Sequence, residues 1–72
     1  MTTNRNLRQA QMVADIINAT RAAPRTVTET VQLTGSTKDT VRKWLEAFEA
    51  VGILTRGQRI TEAGRTADTW QG

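Results

Sequence analysis

From Thr37 to Val51 the apolar residues Val41, Trp44, Leu45, Phe48 and Val51 recur at steps of three and four. A run with that period puts its apolar side chains on one face only as an α-helix. Lys38, Asp39, Arg42, Lys43, Glu46 and Glu49 take the other faces. The charges are also sorted along the axis, with Lys38, Arg42 and Lys43 early and Glu46 and Glu49 late. The helix macrodipole favours the opposite order, because the N-terminal end is already positive. A helix that adds cations at its positive end is set up to meet an anion there.

The remainder must cover that helix with little material. A chain of 72 residues makes one domain whose core supplies only about 3–5 kcal/mol, which leaves room for a partner or for self-association. With no cysteine and no histidine, neither a disulfide framework nor the usual metal ligands are available, and no metal or cofactor is expected. No Gly-rich phosphate loop, nucleophile–base pair or close carboxylate pair is present, so a binding module is expected rather than an enzyme. No apolar run reaches the length of a membrane span or signal segment, which points to a protein of the cytoplasm, with the nucleoid if it binds DNA. The net charge of +3 allows a nucleic-acid partner without establishing one.

In chain order, residues 1–5 are polar and expected to fray. Asn6 is a candidate cap for a helix from Leu7 to about Ala22, ended by Ala23-Pro24 because a residue before proline leaves the α region. Arg25-Thr26-Val27 is β-prone and reads as one short strand. Thr28 is the expected cap of a brief helix through Leu33, with Gly35 giving the backbone freedom for a tight exit. Either Ser36, opening Ser36-Thr37-Lys38-Asp39, or Thr37 caps the long helix. A short helix, a glycine turn and a longer amphipathic helix over 28–51 make the helix-turn-helix pattern. Gly52 stops the long helix. Ile53–Arg56 and Arg59–Thr61 then flank Gly57-Gln58 as a predicted hairpin, Leu54 and Ile60 inward. Thr61 is the expected cap of a last short helix from Glu62 to about Trp70.

Thr26-Val27, Leu33-Thr34-Gly35, Thr37-Lys38-Asp39-Thr40-Val41, Leu45, Phe48-Glu49 and Gly52-Ile53-Leu54 together resemble the winged helix-turn-helix DNA-binding domains of bacterial and phage regulators. Thr61-Glu62-Ala63-Gly64-Arg65 is similar to the segment after the wing in the MarR-like group. The resemblance covers about residues 24–65 and lies in the order of elements. Two positions depart from it: Thr30 stands where the family usually has leucine or isoleucine, and Ser36 where it usually has an apolar turn residue. The implied fold is mostly α, with a three-helix core, a short strand, a two-stranded wing over 53–61 and a short C-terminal helix. The implied partner is double-stranded DNA, with Thr37 to Lys43 as reading edge and Arg56 to Arg59 as wing tip.

On that reading Lys38, Arg42 and Lys43 contact phosphate or base edges, the bidentate guanine contact being natural for Arg42. A solvated face partly neutralised by Asp39 and Glu46 is the competing reading. Thr37 and Thr40 suit phosphate or base-edge bonds, although Thr40 can also bond back to its own helix. Arg56, Gln58 and Arg59 on a tight turn suit a narrow minor groove, against a role as edge-strand protection. Arg25 is a weaker phosphate candidate, as are Arg5 and Arg8. Trp44 belongs to the core stripe. Trp70 either folds back on the first helix or anchors a second subunit. A small transcriptional regulator acting as a homodimer by occupancy of its site is the expected function. A protein–protein module, or an architectural phage protein of excisionase or packaging type, is the alternative.

Overall fold

The computed structural model describes the backbone of residues 2–72 and the side chains of residues 5–72. Three helices, α1 (Thr2–Ala22), α2 (Val27–Thr34) and α3 (Lys38–Ala50), precede an antiparallel hairpin of β1 (Thr55–Ile60) and β2 (Thr66–Gln71). No helix among the described residues is long and apolar enough to cross a membrane.

α1 starts earlier than expected: residues 2–5 belong to it and Asn6 lies within it rather than capping it. The segment holds no Gly or Pro, and adding residues to an existing helix is far easier than nucleating one. Met1 lies outside the described residues. Proline fixes the other end. Pro24 has no N–H to give the Thr20 carbonyl, and the Gly72 N–H takes that place at 3.1 Å. Arg25 Nε donates to the carbonyl of Ala19 in the same last turn at 3.0 Å.

The predicted strand at Arg25–Val27 reduces to a single bridge. Arg25 N donates to Trp70 O at 3.0 Å and Trp70 N to Arg25 O at 2.8 Å. Thr26, not Thr28, caps α2. Its hydroxyl accepts from Glu29 N at 3.1 Å while its own N–H donates to Glu29 Oε1 at 3.0 Å, the reciprocal capping box. Thr26-x-x-Glu29 carries that signature in sequence, masked by the β propensity of Thr26-Val27. Gly35 ends α2 at φ 73, a left-handed position that suits glycine. Thr37 rather than Ser36 caps α3, its hydroxyl accepting from Thr40 N. Thr30 is fully buried, yet its hydroxyl donates to Thr26 O at 2.8 Å, so its polarity is satisfied at no cost in unpaired groups.

Val41, Leu45 and Phe48 from α3 meet Ile16, Leu54 and Trp70 in the core. Trp44 packs at the edge of this cluster, half-buried, with its ring 5.6 Å from that of Phe48. Val51 departs from the stripe: it caps α3 and is 70% exposed. The chain turns at Gly52 (φ 83), and the N–H groups of Ile53 and Leu54 both donate to Phe48 O. Leu54 thereby fills the core position one turn on.

The hairpin is not where the turn chemistry placed it. Gly57-Gln58 runs extended inside β1, and the connection is Thr61–Arg65, closed by Thr61 N to Arg65 O at 2.8 Å with Gly64 at φ 77. The expected terminal helix from Glu62 to Trp70 is β2 instead, and Ile60 is exposed rather than inward. Two sequence facts fit this outcome: Gly64 supplies the left-handed turn residue, and Thr66, Thr69 and Trp70 favour a strand. Trp70, at 1% exposure, contributes the large apolar surface that seats β2 on the helices.

Candidate nucleic-acid interface

The expected reading edge lies on the solvent side of α3. Thr37, Lys38, Asp39, Arg42 and Lys43 are exposed and Thr40 is half-buried. The two threonines are occupied with each other, Thr37 Oγ1 donating to Thr40 Oγ1 at 2.8 Å. Arg42 faces Glu46 across one helical turn, Nε to Oε2 3.8 Å, with both side chains about half exposed. Neither Lys38 nor Lys43 makes an ion pair among the described residues. Lys38 and Arg42 line one wall of a shallow cleft of about 180 Å³ whose other sides come from Thr26, Thr28, Asp68 and Trp70.

The hairpin arginines are placed differently from the expectation. Residues 56 and 59 are an odd number apart on one strand, so their side chains leave on opposite faces. Arg56 pairs across the hairpin with Trp70, and its guanidinium carbon sits 4.8 Å from the centre of the indole. Trp70 already uses its N–H and C=O on Arg25, so Arg56–Trp70 is a pair without ladder bonds, the kind that brings side chains closest. Arg56 also meets three carboxylates: Glu49 at 2.8 Å, Asp68 at 3.4 Å and Glu46 at 3.6 Å. Its hydrogen bond to Glu49 and the carboxylates around it hold its pKa above the ordinary value.

Arg59, on the other face, reaches Glu29 at the start of α2, Nη2 to Oε1 2.6 Å. That hydrogen bond, followed by the one from the Thr26 backbone N–H, holds the Glu29 carboxyl below its ordinary range. Gln58 is exposed in mid-strand opposite Asp68. Arg25 is turned onto the α1 carbonyl described above. Arg25, Arg56 and Arg59 are therefore engaged by their own chain, tying hairpin and connection to the helices, while Arg56 and Arg59 remain partly exposed.

The cation of the connecting loop is Arg65, at its closing end opposite Thr61, exposed and outside any ion pair among the described residues. Its only signal in sequence was its place after Gly64 in a segment read as helix. Glu49, on the polar side of the α3 pattern, accepts from Trp70 Nε1 at 3.0 Å, a role that its spacing does not signal. Among the described residues no group of His, Cys, Asp and Glu side chains is arranged to hold a metal ion. Comparison with protein-family models, with curated proteins and with solved structures found no match to the chain.

Proposed function

We propose that the protein is a winged-helix module that binds duplex DNA, with α3 entering the major groove and the hairpin alongside. The observation that carries this reading is the exposed cationic start of α3, Lys38, Arg42 and Lys43, behind a short helix and a glycine turn. Cations at a positive helix end are unfavourable without an anion, and phosphate supplies one. The hairpin supports the same reading in altered form. Arg56 and Arg59 anchor it, and the loop Thr61–Arg65 carries Arg65 outward as the candidate backbone or minor-groove contact.

In this reading backbone contacts set the register and α3 reads a few base pairs. A single module buries only about 600–1,000 Å² of protein, which argues for two copies on paired half-sites. Trp70 is buried in its own chain and is not available as an anchor for the second copy. The first half of α1, exposed from Arg5 to Gln11 and carrying Leu7 at 62% exposure, is the candidate contact. Such a protein would regulate transcription by occupying its site.

The test is fluorescence anisotropy with labelled duplexes of random sequence over a salt series. Binding that weakens steeply and log-linearly with salt is expected. Indifference to duplex DNA in dilute buffer would remove the proposal and favour a protein partner.

A further inference from the structure

Glu46 lies one turn after Arg42, where the cationic edge of α3 ends, and one of its oxygens serves two arginines. Oε2 is 3.8 Å from Arg42 Nε on the same helix and 3.6 Å from Arg56 Nη2 on β1. Both distances are too long for a hydrogen bond, so the carboxylate is held in place by charge without being saturated. Glu46 and Arg42 are each about half exposed. Arg56 in turn is fixed by Glu49 and by the Trp70 ring, so its guanidinium approaches Glu46 from a rigid mount.

We infer that Arg42 and Glu46 act as one donor–acceptor couple that reads a G·C step, with Arg56 as the positioning residue for Glu46. The inference rests on the DNA-binding reading above. A bare phosphate cannot satisfy the couple, because whatever anion approaches Arg42 also approaches the Glu46 carboxylate one turn away. A guanine edge offers O6 and N7 to the arginine, and cytosine offers its N4 amine to the carboxylate. Side chains one turn apart stand about 5–6 Å from each other. Base pairs rise about 3.4 Å, so the couple spans one pair or two neighbours. The carboxylate therefore discriminates twice, in favour of an amine donor and against backbone-only binding.

The experiment is selection from random duplexes at physiological salt with the wild-type protein, Glu46→Gln and Arg56→Lys, each first checked for an unchanged melting curve. The wild type is expected to select a site with a G·C step, preferred roughly 5- to 150-fold over other base pairs. Glu46→Gln is expected to exchange the cytosine preference for adenine, the natural partner of an amide, and to bind random duplexes more tightly. Arg56→Lys keeps the charge and loses the fork. It is expected to blur the preference at that position alone, which a merely structural role would not do. Identical selected sites for wild type and Glu46→Gln would overturn the couple and leave the DNA-binding reading standing. A wild-type protein that retains no duplex at low salt would remove both.

Discussion

Glu49 Oε1 accepts the Trp70 indole N–H at 3.0 Å, and the same oxygen accepts from Arg56 Nε at 2.8 Å. One carboxylate on α3 thus holds both strands of the hairpin, and the buried indole has its only polar atom satisfied. A tryptophan in a core needs such a partner, so Glu49 is as much part of the hairpin's design as Trp70 is.

That pairing is measurable as a coupling. Trp70→Phe removes the donor while keeping an aromatic ring, and Glu49→Ala removes the acceptor. A double-mutant cycle in urea is expected to return a coupling of about 1 kcal/mol or more, the range for contacting residues. Additive effects would mean that the bond contributes nothing. Trp70→Ala, which empties the core beneath the hairpin, is expected to cost about 3–5 kcal/mol.

Glycine substitutions report where the chain turns. Gly64 sits at φ 77, whereas Gly57 lies within β1 and a Cβ there would stand 3.2 Å from Thr69 Oγ1. Gly64→Ala is expected to cost about 1–2 kcal/mol from the left-handed backbone. Gly57→Ala, whose neighbour is a single hydroxyl, is expected to cost less. The reverse order in thermal melts would restore a turn at Gly57-Gln58.

The ion pair between Glu29 and Arg59 sets a pH dependence. The Glu29 carboxyl is held below its ordinary value of 4.5, so the folded state binds its proton less readily than the unfolded one. Its contribution is complete above that value and is lost as the pH falls through the lowered one. Melting temperature is therefore expected to drop in acid more steeply for the wild type than for Glu29→Gln. Parallel acid limbs for the two proteins would show that the pair adds no stability.

Under the proposed DNA binding, salt dependence separates the cations assigned to DNA from those that hold the fold. Lys38→Ala, Lys43→Ala and Arg65→Ala are each expected to weaken all duplexes alike and to lower the salt slope by about one. Arg59→Ala is expected to leave the slope unchanged, since its charge is spent on Glu29. Equal slopes for wild type and all three exposed-cation variants would place the DNA contact elsewhere.

For the proposed second copy, Leu7→Glu is expected to convert any dimer to monomer in sedimentation without changing the melting curve. A dimer that survives the change would exclude the first half of α1 as its contact.

Much of the helical part could be read from residue spacing alone. The stripe of α3 repeats with the helical period, and Pro24, Gly35 and Gly52 each break a helix by local chemistry that needs no partner. The three cations at the start of α3 stand exposed for the same reason, since the opposite side carries Val41, Leu45 and Phe48. The hairpin was not legible in this way. Gly57 and Gly64 are both plausible turn residues, and Thr61–Trp70 satisfies the local signals of a capped helix as well as those of a strand.

What the sequence determined by itself is therefore the buried stripe of α3 and the points where the helices break, because period and breakers act within a few residues. The start of α1, the cap of α2 and the faces those two helices bury followed from packing. Tertiary structure decided the hairpin register and the places of Arg25, Arg56 and Arg59. Trp70 found its acceptor on Glu49, Arg59 found Glu29 and Arg25 found Ala19. An ion pair or a buried N–H is a relation between distant points of the chain, and only the packed fold brings those points within reach.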